Sequence, residues 1–225
     1  MSPKSKIAAE LAAGAVLDAT KSIIRGEDNR AFCVVRPPGH HAEKIGMMGF
    51  CLLNSIAISA ASALEYSDIK RVAILDFDVH HGNGTQEIFY KDKSVAYGSS
   101  HEFPLFPGTG AENETGVGNI YNATLKAGIK SEEFHDIFEK KVLTPVEKFK
   151  PEVILISAGF DAHKRDPLAN INLESIDFFT ITKKIIEIAN IHSKGRVISF
   201  LEGGYDLQAL SESIIEHLKG LESHI

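Results

Sequence analysis

Two acids and a histidine alternate with apolar residues in the segment Asp76–His80, which reads Asp-Phe-Asp-Val-His. In an extended chain, a period of two directs the side chains of Asp76, Asp78 and His80 to the same face. An aspartate and a histidine two residues apart are suitable ligands for a divalent metal ion, and Asp161, after a later apolar run, offers a third. Two carboxylate oxygens and one imidazole nitrogen leave a coordination position for water, as catalytic zinc sites do.

A purely structural role for these acids is the alternative. Their carboxylates would then cap turns or form ion pairs with Arg71 and Lys164. Burial of an unpaired carboxylate in an apolar strand is costly, so we favour the metal site.

Two adjacent histidines, His40 and His41, follow Pro37-Pro38-Gly39, a sequence that predicts a rigid turn. A lone histidine is more often a structural residue, but two imidazoles beside a candidate metal site indicate proton-transfer groups. Such imidazoles need acceptors that set their tautomer and orientation, and Asp76 and Asn83 are available for this role.

Tyr205 and an aromatic loop give weaker signals. Tyr205 follows Gly203-Gly204, a flexible turn that could bring the phenol over the metal, although a buried structural tyrosine explains these residues equally well. The aromatic residues of the loop Phe103–Gly110 could line a channel or simply pack.

Five short apolar runs predict buried strands, and five longer segments with helical spacing predict helices. The predicted strands are Ala31–Val35, Arg71–Leu75, Ser94–Tyr97, Glu152–Ser157 and Arg196–Leu201. The predicted helices are Ile7–Ile24, Leu52–Tyr66, Ser131–Phe149, Leu173–Ile191 and Leu207–Leu221, and Pro145 could kink or split the third of these. Continuous apolar strands that alternate with helices indicate an α/β protein, with a parallel sheet flanked by helices on both faces.

Six of the ten histidines follow the ends of predicted strands: His40, His41, His80, His81, His101 and His163. In open α/β sheets, ligands bind outside the carboxyl ends of the strands. We therefore expect the active site at this edge of the sheet. The other four histidines, His135, His192, His217 and His224, are expected on helix surfaces.

The composition narrows the class of protein. A length of 225 residues and an apolar content of 44% predict one globular domain over residues 1–225. The net charge of −6 gives no general attraction to nucleic acid or to an anionic membrane. Cys33 and Cys51 lie in apolar segments and are expected as buried free thiols, which fits a reducing compartment such as the cytoplasm. A nucleophile elbow and a phosphate-binding glycine pattern are both missing from the sequence.

Five separate motifs together resemble the histone deacetylase superfamily, and most closely its class II and bacterial amidohydrolase members. They are Arg36-Pro-Pro-Gly-His-His-Ala42, Asp76-Phe-Asp-Val-His-His-Gly-Asn-Gly-Thr-Gln86, Phe106-Pro-Gly-Thr-Gly110, Ser157-Ala-Gly-Phe-Asp-Ala-His163 and Glu202-Gly-Gly-Tyr-Asp206. The similarity runs from about residue 10 to residue 221, in the order of the family.

The resemblance implies an arginase/deacetylase fold and a zinc-dependent deacetylase activity. One Zn²⁺ would be bound by Asp78, His80 and Asp161. The expected substrates are an acetyl-lysine protein, an acetylpolyamine or another acetylated amine.

The resemblance also implies a role for each catalytic residue. His41, held by Asn83, would be the general base that activates water and then the acid that protonates the leaving amine. His40, oriented by Asp76, would be its electrostatic partner. Tyr205 would donate a hydrogen bond to the substrate carbonyl and stabilise the developing oxyanion.

Two further groups of residues are implied in the same way. The substrate channel would be formed by Gly49, Phe50 and Phe106. A structural K⁺ would lie beside Asp76 and Ser99, with backbone oxygens of Asp78, His80 and Ser100 as further ligands.

One departure from the family concerns the N-terminal region. Relatives usually carry several dozen further residues before the first helix, which supply an edge strand and part of the substrate rim. We therefore expect an N-terminally short domain with an exposed sheet edge, which a partner or a second copy could cover.

Two other functions are compatible with such a domain. A catalytically impaired module of the same fold could bind acyl groups or partners without turnover. A binuclear manganese ureohydrolase is less favoured, because that family needs an acid where this chain has Gly82.

Overall fold

A computed structural model describes residues 1–223, so His224 lies outside the described residues. Within this range, six strands form one parallel sheet with the order β1-β6-β5-β2-β3-β4. The strands are β1 (Arg30–Cys33), β2 (Val72–Asp76), β3 (Val95–Glu102), β4 (Ile120–Leu125), β5 (Val153–Ala158) and β6 (Val197–Leu201). The predicted parallel sheet is confirmed, and β1 lies at one of its edges.

Helices cover both faces of this sheet, as predicted. The helices are α1 (Ser5–Arg25), α2 (Ser55–Leu64), α3 (Asn83–Phe89), α4 (Ser131–Phe138), α5 (Thr144–Phe149), α6 (Ser175–His192) and α7 (Leu207–Glu222). Val72 and Ile74 of β2 pack with α1, α2 and α3 on one face, whereas Ala73 and Leu75 pack with α4 to α7 on the other. Because both faces are buried, the strands read as continuous apolar runs.

Two elements are additional to the predicted ones. Strand β4, with the sequence Ile-Tyr-Asn-Ala-Thr-Leu, is an edge strand in which only some residues are buried, so no continuous apolar run marks it. Helix α3 is seven residues long and begins inside the glycine-rich segment after His81. Seven residues are too few for helical periodicity to stand out from the sequence.

The predicted helix Ser131–Phe149 is divided by a π-helical turn, Glu139–Leu143, that separates α4 from α5. Pro145 lies in the first turn of α5. Proline lacks an amide N–H, and its ring clashes with the carbonyl four residues earlier in a regular helix. The wider π-helical turn relieves this conflict, so the expected effect of Pro145 is confirmed.

Buried side chains also correct one prediction. Both cysteines are buried free thiols, as expected. His135 and His192 are half-buried, but His217 is completely buried, so its expected place on a helix surface is wrong. Among the described residues, no helix is both long enough and apolar enough to cross a membrane.

Candidate active site and metal centre

The loops that leave β2 and β5 bring Asp78, His80 and Asp161 together at the carboxyl edge of the sheet. One ligand atom from each of these buried side chains lies within 4.8 Å of the others. His80 Nδ1 is 3.2 Å from Asp78 Oδ1 and 3.0 Å from Asp161 Oδ2. The alternation seen in the sequence holds here, because Phe77 and Val79 point into the apolar core while Asp78 and His80 face the site.

Backbone groups orient the two carboxylates. Gly203 N donates to Asp78 Oδ2 at 2.8 Å, and Val79 N donates to Asp161 Oδ1 at 2.9 Å. A Cβ atom at Gly203 would lie 2.2 Å from Asp161 Oδ2, and one at Gly159 would lie 2.2 Å from Asp78 Oδ2. Glycine at these two positions therefore lets the backbone close around the acids.

The charges of this trio fit a divalent cation. Burial and the nearby charge of Asp78 raise the pKa of Asp161 to about 7. Burial alone would lower the pKa of His80, but hydrogen bonds to Asp161 and Asp78 raise it to about 10. Two buried carboxylates thus share one imidazole, and a divalent cation bound between them would compensate their charge better than one proton does.

Of the structural alternative for these acids, backbone capping is present, since His80 N donates to Asp78 Oδ1 at 2.9 Å, but the expected ion pairs are not formed among the described residues. Arg71 pairs with Glu152 at 2.9 Å, and Lys164 pairs with Glu174. Neither basic residue forms an ion pair with Asp78 or Asp161 within the described part of the chain.

Asp76, the last residue of β2, belongs to a different pair. Its Oδ2 lies 3.0 Å from His40 Nδ1 and also accepts a hydrogen bond from Tyr97 Oη at 2.9 Å. Burial alone would lower the pKa of His40, but the charges of Asp76, Asp78 and Glu202 raise it well above its usual value. Asp76 therefore holds the His40 ring in place, and the surrounding carboxylates favour its protonated form.

His41 lies beside His40, with 4.0 Å between the ring centroids, and its environment differs. Its Nδ1 is 2.9 Å from Asn83 Oδ1, while Asn83 Nδ2 donates to Glu43 Oε1 at 2.8 Å. These partners assign the proton to Nδ1 of His41 and leave a lone pair on Nε2. Burial and the charge of His40 lower the pKa of His41 to about 3.

Tyr205 and the predicted channel residues surround these imidazoles. Burial and the charges of Asp78 and Asp161 raise the pKa of Tyr205, so its phenol stays a hydrogen-bond donor. The ring of Phe50, 72% exposed, lies 6.4 Å from Tyr205, and that of Phe106 lies 5.1 Å from His41. Gly49 adjoins the His41 ring so closely that a Cβ atom would lie 2.2 Å from its Cδ2.

The residues expected to bind potassium also lie near one another. Asp76 of β2 pairs in register with Ser99 of β3. Because His101 Nε2 donates to Gly110 O at 2.9 Å, its Nδ1 accepts from the hydroxyl of Ser99, whose oxygen lone pairs stay available. Ser100 Oγ is buried and has no hydrogen-bond partner among the described residues.

Gly82 lies where a binuclear site would need an acid. A Cβ atom at this position would lie 2.5 Å from both Asp76 Oδ2 and Tyr97 Oη, so these two side chains would have to shift to make room for one. In the described residues, the trio of Asp78, His80 and Asp161 is the single group with metal-ligand geometry.

Three carboxylates at the site have functions that the sequence motifs did not reveal. Glu43 accepts from Asn83, Asp166 accepts from the backbone N–H of Tyr205 at 2.8 Å, and Glu202 accepts from the turn that carries His40. Each contact joins distant parts of the chain, so spacing along the sequence contains no signal for it. For His81, the sequence predicted only a place at the end of a strand. In the structure, its ring forms hydrogen bonds with the side chains of Thr109 and Gln86.

Comparisons with known proteins show the family to which the chain belongs. A family model described as "Histone deacetylase domain" matches residues 1–221. The chain is 38% identical over 220 residues to "Histone deacetylase 14, chloroplastic" of Arabidopsis thaliana, which covers 94% of this chain and 52% of that protein. It is 42% identical over 229 residues to a "Probable deacetylase" of Methanothermobacter thermautotrophicus, with 99% and 67% covered.

A solved structure shows the same fold. The crystal structure of the HDA15 HD domain superposes with a TM-score of 0.90 at 39% identity, over 95% of this chain and 61% of that one. The chain therefore spans about half to two thirds of the length of these relatives.

Proposed function

The chain belongs to the histone deacetylase family, and on that basis we propose that it is a zinc-dependent deacetylase acting on linear amides. The proposed substrate is the acetyl amide of acetyl-lysine or of a similar acetylated amine. The observation that supports this most strongly is the buried trio Asp78, His80 and Asp161 beside a neutral His41.

Asp78, His80 and Asp161 would hold the zinc ion. When bound there, zinc supplies Lewis-acid polarisation of the amide carbonyl and lowers the pKa of water. The orientation of both carboxylates by Gly203 N and Val79 N keeps their remaining lone pairs directed at the shared centre.

His41 would transfer the proton. Its Nε2 lone pair accepts a proton from water as the water oxygen bonds to the carbonyl carbon. The same nitrogen then gives this proton to the amine as the carbon–nitrogen bond breaks, so acetate and a free amine are released. Asn83 keeps Nδ1 protonated throughout, and the imidazolium of His40, held by Asp76, contributes positive charge beside the reacting group.

Tyr205 would donate its hydroxyl proton in a hydrogen bond to the carbonyl oxygen, where negative charge develops. Gly49, Phe50 and Phe106 would form the apolar channel that leads the acetylated side chain to this point. A potassium ion beside Asp76 and Ser99 would stabilise the loop after β2.

The proposal includes no direct binding to nucleic acid or membranes, because the chain is acidic overall. Cytoplasmic location, and a partner or second copy at the sheet edge, stay predictions. The word chloroplastic in the name of the Arabidopsis relative refers to the location of that protein.

A panel of acetyl-lysine peptides and acetylpolyamines, assayed with added Zn²⁺ and combined with metal analysis, tests this function. We expect turnover of at least one substrate and one zinc per chain. Binding of a hydroxamate without turnover would instead support an acyl-binding module. Two manganese ions per chain would contradict the deacetylase assignment.

A further inference from the structure

Glu202 links the end of β6 to the turn that carries the two adjacent histidines. Its Oε2 accepts hydrogen bonds from Gly39 N at 2.7 Å and from His40 N at 3.2 Å. Its Oε1 accepts from Ser157 Oγ at 3.0 Å, which joins the same carboxylate to β5. Glu202 is buried, so these bonds form away from solvent.

Contacts with α2 and α3 support other parts of the turn. A Cβ atom at Gly39 would lie 2.7 Å from Ser55 N, so the backbone of Gly39 is pressed against the start of α2. The carbonyl of His40 accepts from Thr85 N at 3.1 Å, which ties the turn to α3. Glu202 therefore supplies the hydrogen bonds that join the turn to β5 and to the end of β6.

We propose that Glu202 is a positioning residue that places the imidazoles of His40 and His41 relative to the Asp78, His80 and Asp161 centre. This inference rests on the proposed function. Proton transfer depends on the distance and angle between His41 Nε2 and the water that it activates. A displacement of about 1 Å in such a group can cost about 10²-fold in rate.

A glutamine at position 202 should preserve the hydrogen bonds of Glu202, whereas an alanine should lose them. The carbonyl oxygen of glutamine can accept from both backbone N–H groups, and its NH₂ can donate to Ser157 Oγ once that hydroxyl rotates. Alanine leaves two buried N–H groups without an acceptor.

Glu152 offers a matched control at the opposite end of the sheet. Its Oε2 also accepts from two consecutive backbone groups, Lys70 N at 2.6 Å and Arg71 N at 2.8 Å, just before β2. Glu152→Ala therefore removes the same kind of contact without touching the site.

The experiment compares Glu202→Ala, Glu202→Gln and Glu152→Ala in the full chain with Zn²⁺ added. We expect Glu202→Ala to lower kcat by about 10²-fold with little change in KM or in bound zinc. Glu202→Gln should recover most of the lost kcat. Glu152→Ala should lower the melting temperature and leave the kcat of the folded protein unchanged.

The imidazole NMR signals of isotope-labelled histidine give a readout that does not need turnover. With His40→Ala and His41→Ala used for assignment, the signals of His40 and His41 should shift in Glu202→Ala but not in Glu152→Ala. An unchanged kcat and unchanged signals in Glu202→Ala would overturn the inference, as would a glutamine variant no better than alanine. If the parent chain turns over no substrate, the proposed function fails, but the NMR comparison still decides whether Glu202 positions the histidines.

Discussion

Buried histidines occur in two different environments in this molecule: at the carboxyl edge of the sheet, and in the core, where His217 of α7 packs against α6. In the core, His217 Nδ1 bonds to Thr182 Oγ1 at 2.6 Å and Nε2 bonds to Ser199 Oγ at 2.8 Å. Its ring lies 5.0 to 5.9 Å from those of Phe32, Phe160 and Phe77. Burial among these groups lowers the pKa of His217 to about 3, so it is a neutral packing residue.

At the edge of the sheet, two buried histidines, His40 and His80, face carboxylates. The pKa of His40 is raised beside Asp76, and that of His80 is raised to about 10 beside Asp161 and Asp78, although burial opposes both shifts. His41 has the Asn83 amide rather than a carboxylate at Nδ1, and burial together with the charge of His40 lowers its pKa to about 3, as low as that of His217. Neighbouring carboxylates therefore distinguish His40 and His80 from His217, whereas His41 differs from His217 by its place 6.2 Å from the ring of His80 and not by its pKa.

Removing a carboxylate from the edge region should have the largest effect. In Asp161→Ala, two of the three proposed ligands are left, so we expect loss of bound zinc and of all measurable turnover. Metal analysis of the purified variant checks this. Asp161→Asn, which keeps an acceptor for Val79 N, should also lose zinc while staying folded; stoichiometric zinc in both variants would exclude Asp161 as a ligand.

Removing the neutral histidine at the edge should separate proton transfer from metal binding. We expect His41→Ala to lower kcat by about 10²- to 10⁴-fold, the usual range for general acid–base catalysis, with zinc still bound. His217→Gln is the control from the core and should keep its turnover. Loss of zinc in His41→Ala would show that its role has been assigned wrongly.

Tyr205→Phe tests the hydrogen-bond donor at the same edge. Loss of one oxyanion donor lowers kcat by about 10²- to 10³-fold in other enzymes, and we expect a similar loss here. The ring of phenylalanine keeps the contact with Phe50, so KM and zinc content should change little. A kcat equal to that of the parent chain would rule out the donor role.

The free energy of unfolding should depend on pH in a way that shows His217 to be neutral in the folded core. Its folded-state pKa of about 3 lies below the ordinary value of 6.5, so the unfolded chain takes up the proton first. The stabilising contribution of neutral His217 is complete above pH 6.5 and decreases as the pH falls towards 3, by at most about 1.4 kcal/mol per pH unit.

Urea unfolding of the parent chain and of His217→Gln between neutral and mildly acidic pH measures this dependence. The other buried histidines are present in both proteins, so the difference in slope belongs to position 217. Equal slopes would mean that His217 is not held neutral in the folded core.

Much of the fold and many site residues could be predicted from local patterns. Continuous apolar runs predicted the strands, because a strand buried on both faces needs apolar residues at every position. Period-two alternation correctly separated Asp78 and His80 from Phe77 and Val79, since successive side chains of an extended chain point to opposite sides. Strand β4 was missed because Asn122 and Thr124 interrupt its apolar residues, so it contains no continuous apolar run.

Partnerships between distant residues were decided only by the tertiary structure. Asp76 shares its sequence pattern with Asp78, yet it pairs with His40, which follows β1, although β6 and β5 lie between β1 and β2 in the sheet. The spacing of α7 did not show that His217 faces Thr182 and Ser199, nor could any motif show that Glu202 holds Gly39 from 163 residues away. Local sequence determines the direction of a side chain within its own element, whereas the charge and proton that the side chain carries depend on which other elements pack against it.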